Sequence, residues 1–231
     1  MLDNNYLKNK EIYDFNDLIS IMQLLRKPNG CPWDIEQNHK SIRNNLIEET
    51  YEVIEGIDNS NDKILSEELG DLLLQIVFHS QIADEENSFN ITDVTTGICK
   101  KLIYRHPHIF GEIVASDTET VLENWDRLKK QEKNQKNLNE TLNGVSKSLP
   151  ALIRTDKIIS KINKSSQNTI QNSEIIEKIQ KKLDNFGKNE DINIDNLGKL
   201  LYYIVALSNN VGINAEEALF RECEKIINDI K

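Results

Sequence analysis

Apolar residues recur with helical spacing along the first third of the chain. Those at positions 15, 18, 19, 22 and 25 predict an amphipathic helix over residues 14–26, ending near Pro28-Asn29-Gly30. After a rigid turn over residues 30–34, similar patterns predict helices over 37–57 and 63–83. The last helix contains a run from Leu69 to Phe78 that is apolar almost all round, so we expect it to be buried.

The rest of the chain is also predicted to be helical. Thr92 or Asp93 is placed to cap a helix that ends before Pro107, and residues 118–136 form a charged helical segment. The stretch 137–147 is polar and is interpreted as a linker, after which a second half begins near Ser148. The predicted fold class is therefore all-α.

Two acidic clusters interrupt the apolar pattern with the same internal spacing. They are Glu48-Glu49-x-x-Glu52 and Glu67-Glu68-x-x-Asp71, separated by only 14 residues. Residues at i and i+4 share one face of a helix, and a short loop makes consecutive helices antiparallel neighbours. The two clusters can then face each other and form the oxygen-only ligand set that Mg²⁺ or Mn²⁺ prefers.

Each cluster also has a simpler interpretation. The first can be the solvated face of its helix, and the second can complement the positive end of a helix dipole. No Lys or Arg lies between Leu65 and Phe78 to neutralise the second cluster locally. Because buried carboxylates are costly unless they are paired or bound to metal, the matched pair of clusters favours a divalent-metal site.

Composition narrows the classes of partner. The formal net charge is −10, which argues against broad nucleic-acid or anionic-membrane binding. The longest strongly apolar stretch is about ten residues, too short for a bilayer span, and the N-terminus lacks a secretory signal pattern. Cys31, Cys99 and Cys223 are widely spaced and form no zinc pattern, so we expect reduced thiols in the cytoplasm.

Basic and aromatic side chains supply candidate substrate contacts. Lys101 and Arg105 are four residues apart on one predicted helix, as are Trp125 and Lys129 on another. The three cations can converge on phosphate oxygens, and Trp33 or Trp125 can stack on a base. The alternatives are solvated surface lysines and tryptophans that belong to a core or an interface.

An internal repeat relates the two halves. Gly70-x-Leu72-Leu73-x-x-Ile76-Val77-x-x-Ser80 matches the segment from Gly198 to Ser208 at an offset of 128 residues. The apolar skeleton is kept, whereas the acids at 67, 68 and 71 are replaced by Asp195, Asn196 and Lys199. The alternative is a chance match between two apolar helices. Duplication followed by loss of the acids fits better and predicts a structural second half.

Together these motifs resemble the MazG family of nucleoside triphosphate pyrophosphohydrolases. The resemblance is carried by the segments Asn29-Gly30-Cys31-Pro32-Trp33-Asp34-x-x-Gln37, Glu48–Glu52, Glu67–Leu73, Arg105–Phe110, Trp125–Glu132 and Ser148–Leu152. It implies an all-α protein of tandem four-helix-type domains that hydrolyses nucleoside triphosphates to monophosphate and pyrophosphate. It also implies Mg²⁺ ligation, with Mn²⁺ as an alternative ion, by Glu49, Glu52, Glu68 and Asp71.

The resemblance further implies phosphate contacts from Lys101, Arg105 and Lys129, and a homodimer. Glu48, in the same helical cluster as Glu49 and Glu52, is a candidate to orient or deprotonate a water. The expected organisation is a MazG-like domain over residues 1–136, a linker over 137–147 and a degenerate copy over 148–231. The alternative function is a non-catalytic protein whose retained acids bind metal or nucleotide without turnover.

Overall fold

A computed structural model describes residues 7–111, 117–132, 137–165, 170–187 and 192–230. The described residues form helices joined by turns and contain no strand, which confirms the all-α class. The chain divides into two compact units, Met1–Val114 and Ala115–Lys231. None of the described helices is both long enough and apolar enough to cross a membrane.

The helix at Phe15–Arg26 in the first unit begins at a capping residue, Asp14. Its helices are α1 (Phe15–Arg26), α2 (Pro32–Glu36), α3 (Arg43–Asp58), α4 (Asp62–Glu85), α5 (Ile91–Arg105) and α6 (Pro107–Phe110). The Asp14 carboxylate accepts hydrogen bonds from the backbone amides of Asn16 and Asp17 at the start of α1. These contacts satisfy amides that have no partner within the helix.

The turn after α1 depends on a glycine. A Cβ atom on Gly30 would lie 2.1 Å from the carbonyl oxygen of Leu25, so no larger residue fits without moving the backbone. Part of the segment predicted as a turn is helix α2, with Pro32 at its first position. The helix predicted from residue 37 begins only at Arg43, because the Asn38 side chain accepts from the amides of Lys40 and Ser41 and forms a turn instead.

Helices α3 and α4 form the predicted hairpin. Its connection is short, with Ser60 at a positive φ of 50°, and Asn61 caps α4 by accepting from the amides of Lys63 and Ile64. The two helices approach closely where buried Gly56 faces Leu65. A Cβ on Gly56 would lie 2.9 Å from the Leu65 backbone, so the absence of a side chain sets this spacing.

The core of the first unit lies at the C-terminal half of α4. Its fully buried members come from α1, from the turn before α3 and from α4, namely Met22, Ile42, Val77, Phe78 and Ile82. The prediction that α4 is buried is therefore correct for one side of its C-terminal half, which contains buried Val77, Phe78 and Ile82, and wrong for the rest of the apolar run. Leu69, Leu73 and Ile76 are 50%, 37% and 40% exposed, so the described residues leave that side of the helix uncovered.

The predicted cap of α5 is wrong, whereas the linker over 137–147 stays a prediction with local structure of its own. The cap of α5 is Asn90, and Asp93 instead completes a capping box by accepting from the Asn90 amide. The segment 137–147, interpreted as a linker, contains a helix with buried Thr141 and is followed by buried Val145. It is ordered because Asn137 caps this helix and Thr141 faces inward.

The second unit has its own core. Its helices are α7 (Thr118–Glu132), α8 (Leu138–Asn143), α9 (Ala151–Ser165), α10 (Asn172–Gly187), α11 (Ile194–Asn210) and α12 (Ala215–Asp229). Residues 133–136, predicted to extend α7, lie outside the described part. The core cluster contains Ile159, Ile175, Val205 and Ala206. Helix α7 groups with this unit, whereas sequence placed it in the first domain; the predicted domain limits stay a prediction.

Equivalent positions in the proposed repeat share burial but not chemistry. Val77 and Val205, which are 128 residues apart, are both buried in the core of their unit. Asn196, at the position equivalent to Glu68, accepts a hydrogen bond of 2.6 Å from Lys182 Nζ. A lysine–amide contact therefore stands where the first unit has an acid, which agrees with loss of the acids in the second copy.

The close approach at Gly56 generates a stability prediction. We expect Gly56→Ala to lower the free energy of unfolding by about 1–3 kcal/mol, because the added methyl overlaps the Leu65 backbone. The matched control is Gly70→Ala in α4, where a Cβ meets no atom within 4 Å, and which should stabilise by about 0.5–1 kcal/mol. Denaturant unfolding followed by helical circular dichroism measures both. Equal effects of the two substitutions would show that the helix spacing tolerates a side chain.

Candidate metal centre

Three carboxylates from the hairpin meet at one point. Glu49 on α3 and Glu68 and Asp71 on α4 each offer a carboxylate oxygen, and these oxygens all lie within 4.8 Å of one another. All three residues are half-buried. The sequence prediction that the two acidic clusters face each other is confirmed for these residues, because the short connection makes α3 and α4 antiparallel and Gly56 brings them close.

The fourth predicted ligand, Glu52, lies beside the three-carboxylate group but is not one of its members. Glu52 lies one helical turn beyond Glu49, and its carboxyl is close enough to hydrogen-bond with the carboxyls of Glu49 and Glu68. Two carboxyl groups can share a hydrogen bond only when one of them is protonated, so this proximity favours retention of a proton on Glu49 and Glu68.

Burial and mutual repulsion change the acidity of the cluster. Burial, followed by the charges of Asp71 and Glu52, raises the pKa of Glu49 above its usual value. Burial, Glu52 and Asp71 act in the same direction on the pKa of Glu68. Both shifts mean that the folded chain resists full ionisation here, which is the condition that a bound cation relieves.

The donor set fits a hard divalent cation. An octahedral Mg²⁺ with oxygen ligands at about 2.1 Å places adjacent ligand oxygens roughly 3.0 Å apart and opposite ones roughly 4.2 Å apart. The oxygens of the three-carboxylate group lie within 4.8 Å of one another, so side-chain rotation that draws them together reaches that geometry. Oxygen ligands without nitrogen or sulfur suit Mg²⁺ or Mn²⁺ rather than zinc.

The remaining predicted residues occupy different settings. Glu48 is exposed on α3 and does not belong to the three-carboxylate group. Lys101 is exposed on α5, whereas Arg105 at the end of that helix is buried, with 9% exposure. Trp33 is 57% exposed and rests edge-on against Phe78, with ring centroids 6.4 Å apart.

Trp125 and Lys129 lie on α7 in the second unit. Both are half-buried. Their predicted roles at the acidic group in the first unit stay predictions, as does the phosphate role of Lys101 and Arg105.

Sequence reasoning missed a polar line that continues from Asp71 along α4. Gln75 and His79 follow at intervals of four residues, so they lie near the same side of the helix. The Nδ1 atoms of His79 and His39 are 2.8 Å apart and their rings are stacked. Burial and the neighbouring His39 lower the pKa of His79, which favours the neutral form of that ring. The signal was the four-residue spacing of polar groups inside an apolar run.

Part of this polar line is unsatisfied. Among the described residues, no hydrogen-bond partner is found for Gln75 Oε1 or His79 Nε2, although both atoms are buried. Unpaired buried polar atoms are costly, and they are most often retained beside functional sites. The line therefore extends the polar character of the acidic group into the core of the first unit.

Comparison with known proteins agrees with this geometry. A family model described as the MazG nucleotide pyrophosphohydrolase domain matches residues 37–110, a range that contains all four acids together with Lys101 and Arg105. A Thermotoga maritima protein named nucleoside triphosphate pyrophosphohydrolase/pyrophosphatase MazG is 37% identical, over 94% of this chain and 84% of the relative. The chain belongs to the MazG family.

Other relatives of this MazG-family chain are similar to it over a little more than three fifths of its length. An Escherichia coli protein named nucleoside triphosphate pyrophosphohydrolase is 45% identical over 61% of this chain. A Bacillus subtilis protein, named uncharacterized protein YabN, is 44% identical over 63% of the chain. The chain spans 54% of the length of the former and 30% of the latter.

The acidic group generates a prediction about metal, charge and pH. We expect Mg²⁺ or Mn²⁺ to raise the melting temperature at pH 7.5. At an ion concentration of 100 times the dissociation constant, binding should add about 2.7 kcal/mol to the free energy of unfolding. Glu68→Gln should remove most of this shift and raise the melting temperature of the metal-free protein, because it removes one repelling charge. Differential scanning calorimetry measures both effects, with exposed Glu55→Gln as the control.

The pH dependence follows from the raised pKa values. A carboxyl whose pKa is higher in the folded state stabilises the fold at low pH, and this contribution is lost as pH rises through the folded-state pKa. The metal-free advantage of Glu68→Gln should therefore grow between about pH 4.5 and neutrality, starting from the ordinary glutamate range. A constant difference across that range would contradict the repulsion.

Proposed function

We propose that this chain is a Mg²⁺-dependent hydrolase that converts nucleoside triphosphates to nucleoside monophosphate and pyrophosphate. The observation that supports this most strongly is the convergence of Glu49, Glu68 and Asp71 at one point in a chain of the MazG family. The names of the Thermotoga maritima and Escherichia coli relatives describe the same reaction class. Mn²⁺ is the alternative ion, and the cytoplasm is the proposed location.

In the proposed site, Glu49, Glu52, Glu68 and Asp71 hold the cation. When bound, the cation supplies positive charge that polarises the phosphate chain and lowers the pKa of water. The four acids are proposed to hold and orient the cation. Their mutual repulsion favours binding of the cation, because its positive charge reduces that repulsion. The bond that breaks joins the α- and β-phosphates, and one water supplies the hydroxyl and the proton that complete the two products.

The chain's other residues act on the water and on the phosphates. Glu48, exposed beside Glu49 on α3, accepts the proton of the attacking water. Arg105 and Lys101 on α5 offset the negative charge of the triphosphate, with Lys129 in a supporting role. Trp33 and Trp125 are proposed to stack on the base.

We also propose that the active species is a homodimer. The hairpin presents apolar residues at i, i+4 and i+7 on both of its helices, and these are 37–50% exposed in one chain: Ile47, Tyr51, Ile54, Leu69, Leu73 and Ile76. Contiguous apolar surface of this kind marks an interaction site. A second copy is the simplest partner that supplies a matching apolar face.

The proposed reaction predicts distinct effects for the acids and the cations. We expect Asp71→Asn to abolish pyrophosphate release with Mg²⁺ while the chain stays folded. Arg105→Ala should lower kcat/KM at least about tenfold, equivalent to roughly 1.4 kcal/mol of transition-state stabilisation. Coupled detection of pyrophosphate across a panel of triphosphates measures both, with Glu55→Gln as the control. Wild-type turnover by Asp71→Asn would overturn the assignment.

The rival function is metal or nucleotide binding without turnover. It predicts no pyrophosphate from any nucleoside triphosphate in the wild-type protein, together with a metal-dependent rise in melting temperature. The same panel therefore separates the two functions, because only the hydrolase yields equal amounts of monophosphate and pyrophosphate.

The proposed dimer is tested by a charge placed in the apolar face. We expect Leu73→Glu to halve the mass measured by light scattering after size-exclusion chromatography, because the ionised side chain cannot be buried against a second copy. The control is Ile12→Glu, at a position that is 82% exposed and outside the hairpin. A wild-type protein that already elutes with the mass of one chain would rule out the dimer.

A further inference from the structure

Arg26, in the last turn of α1, has a side chain that is 5% exposed and takes no part in the proposed reaction. Its Nε donates to both carboxylate oxygens of Glu85 at 3.0 and 3.2 Å, and Nη2 donates to Oε2 at 2.7 Å. Nη1 donates to the backbone carbonyl oxygens of Asp34 and Gln37, in α2 and at its C-cap. One guanidinium therefore joins α1, α2 and α4.

Helix α2 depends on such contacts because it is too short to be stable alone. It has five residues, whereas an isolated helix shorter than about 12–15 residues is marginal in water. Carbonyl groups at a helix C-terminus have no partner within the helix, and Arg26 donates to oxygens there. A guanidinium offers donors in several fixed directions, whereas lysine offers one compact ammonium group. Arginine can therefore hold α2 and the Glu85 carboxylate at the same time.

The same arginine is linked to Trp33 through one aromatic ring. Arg26 Cζ lies 5.3 Å from the centroid of the Phe78 ring, which is in the core of the first unit. The Trp33 ring meets Phe78 edge-on, yet Trp33 remains more than half exposed. The Gln37 side-chain amide also donates to the Trp33 carbonyl oxygen at 2.8 Å. Trp33 is therefore an exposed aromatic surface whose position is fixed by Phe78 and by α2.

The segment that carries Trp33 lies within reach of the acidic group. Its far end is held on α4 by the contact between His39 and His79. Phe78, which supports Trp33, follows Asp71 by seven residues, so it lies about 10 Å further along α4 and near the same side of the helix. A nucleotide whose phosphates are held at the acids extends over a distance of this order. Its base can therefore reach Trp33.

We propose that Arg26 is a positioning residue for recognition of the nucleoside base, acting through Trp33. The proposal rests on the proposed function, which supplies the base as the ligand. By holding α2 against α4, Arg26 presents the open face of Trp33 in one orientation, so less conformational freedom is lost when a base stacks on it. The described contacts of Arg26 include none of the four acids, so its effect falls on the base and not on the triphosphate.

The test measures binding without turnover, by isothermal titration calorimetry of the full chain with Mg²⁺. The first ligands are the α,β-methylene analogues of ATP, GTP, CTP and UTP, in which the bond that the proposed reaction breaks is replaced. The second ligand is inorganic tripolyphosphate, which has three phosphates and no base. The wild-type chain should bind the tightest analogue more strongly than tripolyphosphate.

Substitutions should separate the base from the phosphates. Arg26→Lys and Trp33→Ala should each weaken the tightest analogue at least about fivefold, the lower end of what a base–aromatic stack contributes. Neither should change the affinity for tripolyphosphate. The double variant should bind the analogue as Trp33→Ala does, because Arg26 acts through Trp33.

Two further variants complete the experiment. Glu85→Gln, at an exposed position on α4, removes the charge that anchors Arg26 and should weaken the analogue in the same direction by a smaller factor. This variant tests the proposal even if Arg26→Lys does not fold. The matched control is Arg221→Lys, an exposed arginine paired with Glu217 in the second unit, which should change neither affinity.

Three outcomes would overturn the proposal. In the first, Arg26→Lys weakens the analogue and tripolyphosphate equally, so Arg26 supports only the fold or the phosphate site. In the second, the losses add in the double variant. In the third, the wild-type chain binds the analogues no more tightly than tripolyphosphate. Failure of the proposed hydrolysis is a separate result, because it leaves the analogues bound while the nucleoside triphosphates release no pyrophosphate.

Discussion

The close crossing of α3 and α4 is the constraint on which the first unit depends. Gly56 lets the two helices approach at Leu65, and one turn beyond this contact the carboxylates of Glu52 and Glu68 meet. The same approach that packs the hairpin therefore forces acids together and raises the pKa of Glu49 and Glu68. Packing energy from the core around Phe78 opposes this repulsion, and the proposed divalent cation would reduce it.

The second unit uses similar apolar packing around different polar residues. Val205 is buried as Val77 is, but Lys182 and Asn196 are hydrogen-bonded where the first unit would place an acid. The second unit therefore keeps the apolar packing without the acids.

The sequence predicted the helical class and the meeting of the acids, because both depend on local spacing and on one short connection. Other features depend on competition that spacing does not reveal. Asn38 diverts the backbone into a turn and delays α3, and Asn90 rather than Asp93 caps α5. The exposure of Leu69 was missed because an apolar pattern indicates a face that can be covered, not what covers it.

Direct binding of Mn²⁺ tests the central claim that the hairpin builds a divalent-cation site. Electron paramagnetic resonance distinguishes free aqueous Mn²⁺ from the protein-bound ion during a titration. The account predicts that the wild-type chain depletes the free-ion signal and that Mg²⁺ restores it by competition. Glu49→Gln combined with Asp71→Asn should leave the free-ion signal equal to that of buffer alone. Depletion by this double variant to the same extent as by the wild type would contradict the account.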